Sequence, residues 1–115
     1  MVGHTGNIEA SVLAIKTLDE CLALIVQTAL ETGWTILITA DHGNVEQKIN
    51  PQTGQISTEH TGNPVPFIAI SSEFQGRLAR LQTGILADVT PTILTLMGIP
   101  KPSQMTGRNL LEELQ

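Results

Sequence analysis

The sequence predicts an α/β fold: a small, mostly parallel sheet flanked by a long N-terminal helix and a second helix. Three observations predict it. Residues 7–31 carry apolar side chains at helical steps of three and four. Two short runs, residues 34–39 and 65–70, are apolar on both faces, as buried strands of a parallel sheet are. A polar loop, Ala40-Asp41-His42-Gly43-Asn44, follows the first run, and helix, strand, polar loop is the rhythm of α/β folds, whose chemistry gathers beyond the carboxyl ends of strands.

The first helix takes its apolar stripe from Ile8, Val12, Ile15, Leu18, Leu22, Ile25, Val26, Ala29 and Leu30, with Thr5 or Asn7 as its N-cap and Gly33 as its stop. Trp34–Thr39 is too short for a helix and reads as the first strand. Residues 45–60 are irregular, and Asn50-Pro51-Gln52-Thr53-Gly54 reads as the tip of a hairpin joining 46–49 to 55–58. Val65–Ile70 reads as the second strand, with Pro66 at its beginning because it has no N–H to donate. Residues 71–86 read as a loop with a small hairpin around Gly84. Residues 88–97 read as the second helix, capped by Asp88, with Pro91 in its first turn and Gly98 as its stop. A short terminal helix is expected over 108–114.

Composition narrows the function. The 115 residues suffice for one small domain, 1–115, and only 15% are charged against about a quarter in ordinary globular proteins. Aromatic content is 3%, with one Trp and no Tyr, so the core is expected to be aliphatic. So many apolar and so few charged residues suggest a surface that is covered by something else. The net charge of −5, without a basic stripe, argues against nucleic acid as a partner. The single cysteine, Cys21, excludes an internal disulfide and reads as a small hydrophobe on the first helix. No apolar run reaches the roughly 18 residues that span a membrane, and the N-terminus does not resemble a signal peptide, so a cytoplasmic protein is expected.

Three histidines remain as candidates for chemistry. His4, His42 and His60 each sit in a small-residue loop: Gly3-His4-Thr5-Gly6, Asp41-His42-Gly43 and Glu59-His60-Thr61-Gly62. A lone histidine is ordinarily a surface residue or a satisfied core residue. Three of three in such loops, one beside an aspartate at a strand end, points to metal binding, since imidazole with carboxylate suits zinc and manganese. Adjacent ligands of this kind can serve one ion, or two that clamp a phosphoryl group. A structural zinc site would use cysteines. No serine stands in a G-x-S-x-G elbow, and no glycine-rich phosphate loop is present. Gly107-Arg108 resembles an anion site at a helix start, and equally a solvated arginine there.

Five segments carry a family resemblance: Met1-Val-Gly-His-Thr-Gly-Asn7, Thr39-Ala-Asp-His-Gly-Asn44, His60-Thr-Gly-Asn-Pro-Val-Pro-Phe67, Leu86-Ala-Asp-Val-Thr-Pro-Thr-Ile-Leu94 and Met105-Thr-Gly-Arg108. In this order they resemble the C-terminal end of cofactor-independent phosphoglycerate mutases, members of the alkaline phosphatase superfamily. The resemblance implies a partial alkaline-phosphatase-like domain and an enzyme that interconverts 3-phosphoglycerate and 2-phosphoglycerate in glycolysis through a phosphoserine. It implies two Mn2+ ions, with His4 and His60 matching ligands of one and Asp41 and His42 matching ligands of the other.

The family's nucleophilic serine, two further aspartate ligands and the glycerate-gripping domain have no counterpart in these 115 residues. Met1 falls inside a family motif, so a fragment is expected, inactive alone, with no catalytic nucleophile of its own and prone to self-association. A non-catalytic module of the same fold and another metal-dependent phosphatase of the superfamily are the alternatives. No substitution at the four ligand positions favours the first, and the mutase-like segments disfavour the second.

Overall fold

A computed structural model of the chain describes residues 2–75 and 80–111. The chain forms two compact units, Met1–Ser72 and Glu73–Gln115.

In the first unit a 3-10 turn, Val2–His4, leads into helix α1, Ile8–Glu31. Asn7 is the N-cap, and its Oδ1 accepts the Ala10 N–H at 2.9 Å, satisfying a first-turn donor that has no helical partner. The helix stops at Gly33, whose φ of +75° is open to glycine without steric cost. There the Gly33 N–H donates to Leu30 O and the Trp34 N–H to Ala29 O, a Schellman closure of the last carbonyls.

Strand β1, Ile36–Thr39, pairs with strand β2, Phe67–Ile70. The pairing corrects the expectation of a mostly parallel sheet: it is antiparallel, with Ile36 opposite Ile70 and Thr39 opposite Phe67. A parallel neighbour needs a crossover, usually a helix. Residues 40–66 contain none, and the chain returns to the end of β1 that it left. Apolar character on both faces reports burial and carries no information on strand direction.

The excursion between the strands contains the expected hairpin. Ile49 bridges Ile56, Asn50 N–H donates to Gln55 O, and Asn50 Oδ1 accepts the amides of Gln52 and Thr53 at the tip.

In the second unit a 3-10 turn, Leu86–Asp88, continues into helix α2, Val89–Leu96, which closes at Gly98 in the same manner as α1. Asp88 does not cap α2 with its side chain, contrary to expectation. Its Oδ2 instead accepts the Ile85 N–H and its Oδ1 the Arg108 N–H, each at 2.8 Å. These bonds, the Ile85 amide first, hold its carboxyl below the usual carboxylate range.

Residues 108–111 are extended, not the start of a terminal helix, because Leu110 pairs by backbone with Gln82 and Leu111 bridges Leu81; residues 112–115 of that expected helix lie outside the described residues. The same pairing replaces the hairpin expected around Gly84. Thr92, fully buried, ties the helix to this segment by donating to Asp88 O and accepting the Leu110 N–H.

Among the described residues Leu110 is the only large apolar side chain that is buried, so the expected aliphatic core is not closed within this chain. Val12, Leu13 and Leu24 of α1 are 63–68% exposed, and Trp34 is 70% exposed. A helix stripe and a two-stranded sheet need a second layer to bury their apolar faces.

Candidate metal centre

The three histidines converge, although 56 positions separate the first from the last. His42 and His60 stack with ring centroids 3.6 Å apart and planes 19° from parallel. His4 lies against His60 at 5.2 Å, tilted by 50°. Asp41 is beside them, its Oδ2 3.6 Å from His42 Nε2, and its Oδ1 accepts the His42 N–H at 3.0 Å. All four sequence-nominated residues are thus in one cluster, and all are solvent-exposed.

Local structure explains the convergence. His4 ends the 3-10 turn before α1, Asp41 and His42 follow the end of β1, and His60 lies on the return towards β2. The Gly43–Thr61 bridge, with Thr61 N–H donating to Gly43 O at 2.9 Å, brings the last two loops together. A Cβ at position 43 would collide with Thr61 Oγ1 and the Glu46 carboxylate, so any larger residue there would displace them.

Side chains that the sequence reading passed over complete the framework. Lys48 is buried; its ammonium donates to Gly3 O, next to His4, and to Asn44 Oδ1 at 3.3 Å. Asn44 Nδ2 donates to Glu59 O, next to His60. Glu46 accepts the Asn44 N–H at 2.6 Å, the Thr61 hydroxyl, and Asn63 Nδ2 at 3.0 Å. The Thr61 hydroxyl first, with Asn63 and backbone amides after it, holds the Glu46 carboxyl down to about 2. The only sequence signal for this network is that polar residues crowd the segments following His42 and His60.

The donor set fits a divalent cation. Imidazole and carboxylate together suit first-row ions, and metal-bound histidines characteristically rest their other ring nitrogen on a carbonyl or carboxylate. His4 Nδ1 lies 2.8 Å from Thr58 O and His42 Nδ1 3.1 Å from Gly43 O, which leaves Nε2 as the coordinating atom of each ring, that of His42 beside Asp41 Oδ2. Among the described residues no three His, Cys, Asp or Glu side chains are arranged around a single ion. The Gly107-Arg108 pair is not an anion site at a helix start. No helix begins there, and the guanidinium is engaged by Gln82 Oε1 and Thr83 O.

An α/β chain presenting imidazoles and a carboxylate beyond a strand end carries the donors of a metal site. Residues 1–101 match the model of the Metalloenzyme superfamily, and the chain belongs to that superfamily. It is 52% identical over 113 residues to the 2,3-bisphosphoglycerate-independent phosphoglycerate mutase of Ectopseudomonas mendocina, covering 97% of this chain and 21% of that protein. It is 48% identical over 112 residues to the mutase of the same name from Clostridium acetobutylicum, covering 97% of this chain and 22% of that protein.

The chain therefore spans about a fifth of the length of these curated relatives. Its structure is similar to that of Leishmania mexicana phosphoglycerate mutase, solved at low cobalt concentration. That match has a TM-score of 0.80 at 27% identity and covers 96% of this chain and 23% of the other. Among the described residues no helix is long and apolar enough to cross a membrane.

Proposed function

We propose that this chain is the C-terminal, ligand-bearing part of the phosphatase domain of a cofactor-independent phosphoglycerate mutase. In this reading the complete protein interconverts 3-phosphoglycerate and 2-phosphoglycerate through a phosphoserine, with two Mn2+ ions, in the cytoplasm. His4 and His60 serve one ion; Asp41 and His42 serve the other. The observation that carries it is the contact of three imidazoles from three distant loops, His4 and His42 each resting Nδ1 on a carbonyl. When bound, a pair of divalent ions neutralises phosphoryl charge and orients the attacking and departing oxygens. This chain contributes ligands and the framework that aims them. The nucleophile, the remaining ligands and the glycerate site belong to the rest of the protein.

The exposed apolar face of α1 supports the same reading, since a longer chain offers the layer that would cover it. In isolation this face is expected to drive self-association.

The test is an assay with 3-phosphoglycerate and manganese. The longer protein should turn over, and its His42→Ala and His60→Ala variants should lose that activity while remaining folded. The 115-residue chain alone should show no turnover above its His42→Ala variant. Activity in the isolated chain, or undiminished activity in both long variants, would overturn the proposal.

A further inference from the structure

We infer that Glu46 is a positioning residue of the histidine cluster: its carboxylate joins the loop of Asp41 and His42 to the loop of His60 and so fixes the separation of their rings. The inference rests on the metal reading of that cluster.

Two loops far apart in sequence meet here through a few hydrogen bonds, one of them from Asn44 Nδ2 to Glu59 O at 3.2 Å. One backbone hydrogen bond, Thr61 N–H to Gly43 O at 2.9 Å, links them directly. Glu46 runs a side-chain link beside it. One oxygen takes the Asn44 N–H at 2.6 Å, two residues after His42. The other takes the hydroxyl of Thr61, next to His60, and Asn63 Nδ2 at 3.0 Å. Asn63 is itself held by Gln47 Oε1 at 3.1 Å. The carboxylate thus spends both oxygens on neutral donors from both loops, which separates its role from that of a metal ligand. Hydrogen bonds to an ionised acceptor are about twice as strong as neutral ones, so this link outweighs the single backbone bond beside it.

The link continues to an imidazole. The carbonyl of Gly43 that accepts the Thr61 N–H is the one that His42 Nδ1 approaches at 3.1 Å. Orientation of the His42 ring therefore depends on the placement of Gly43 O, which depends on Thr61, which Glu46 holds. The absence of a side chain at position 43 is part of the same device, because a Cβ would occupy the space where Glu46 and Thr61 meet. Removing the carboxylate should let the two loops separate and the stacked rings lose their spacing while helix and sheet persist.

The experiment is a cobalt titration of the full-length protein that carries this chain, read by the visible ligand-field spectrum and by calorimetry, with circular dichroism to verify folding. Glu46→Ala is expected to bind cobalt more weakly by up to about tenfold, the low end of the cost of losing a direct partner of a metal ligand, because Glu46 acts one residue further out. Its spectrum at saturation should also differ, because ring placement sets the ligand field. Thr61→Val should move both readouts in the same direction, and Thr61→Ser, which keeps the hydroxyl, should restore them. A purely structural Glu46 would alter stability and leave the saturated spectrum as it was.

An affinity and saturated spectrum unchanged in folded Glu46→Ala would overturn the inference. Should that variant not fold, equal behaviour of Thr61→Val and Thr61→Ser would overturn it instead. An unaltered protein that binds no cobalt would overturn the metal reading and this inference with it. That outcome is distinguishable because the variants then have no binding to lose.

Discussion

The imidazoles of His42 and His60 lie face to face, 3.6 Å between centroids, though 17 residues of irregular chain separate them. Neither loop produces this contact by itself; the residue after His42 must meet the residue after His60. It accompanies the antiparallel return of the chain and the Gly43–Thr61 bridge, beside which Glu46 accepts from Asn44 and Thr61.

If the stack marks a metal centre, each of its rings contributes to affinity. His42→Ala and His60→Ala should each weaken manganese binding by at least about tenfold, since even outer partners of ligands are worth that much. Titration calorimetry on the longer protein proposed above reads this. Affinity unchanged in both variants would mean that the stack is not a ligand pair.

Acid should loosen the loops through Glu46. Its carboxyl is held at about 2 in the folded chain against an ordinary value of 4.5, first by the Thr61 hydroxyl. A folded value below the unfolded one means that the stabilisation is complete above the unfolded value and is lost as pH falls through the folded one. The window is therefore from about pH 4.5 down to about pH 2, with no contribution to pH dependence near neutrality. Denaturation midpoints across that window should fall less steeply in Glu46→Ala than in the unaltered chain. Equal slopes would contradict the assignment.

The second unit offers a stability test that leaves the histidines alone. Thr92→Val removes the acceptor of the Leu110 N–H at a fully buried position. Leaving a buried donor unpaired costs about 1–3 kcal/mol, and Thr92→Ser should recover most of it. Gly107→Ala should cost about 1–3 kcal/mol by overpacking, since its Cβ would strike the Ala87 carbonyl. Chemical denaturation measures both.

The isolated chain should associate through its uncovered apolar surface. Val12, Leu13 and Leu24 of α1 are exposed, and among the described residues β1 and β2 pair only with each other. Open strand edges and apolar helix faces are templates for contact, and a specific interface buries about 1,000 Å² or more. Sedimentation at several concentrations should show a dimer or larger species, and Leu13→Glu combined with Leu24→Glu should shift it towards monomer. A monomer at high concentration would count against the expectation.

Local signals in the sequence determined much of this chain. Helical spacing, the Asn7 cap and Gly33 set α1 to within a residue at each end. Asn50 and Gly54 marked the hairpin tip, and the loop placement of His4, His42 and His60 nominated the cluster. These signals act between neighbours along the chain, so they can be read without the fold.

Other features were decided by tertiary structure alone. The direction of the strand pairing depends on how residues 40–66 return, and apolar runs do not encode it. Asp88 looked like a helix cap, yet its oxygens are claimed by Ile85 and by Arg108, twenty positions away. Residues 108–111 had the composition of a helix, yet Leu110 and Leu111 bond to Gln82, Thr92 and Leu81 instead. Glu46 and Lys48 looked like ordinary charges on an irregular segment. Their roles arise only when distant loops meet, because a carboxylate or an ammonium satisfies whichever donors and acceptors the fold brings within about 3 Å of it.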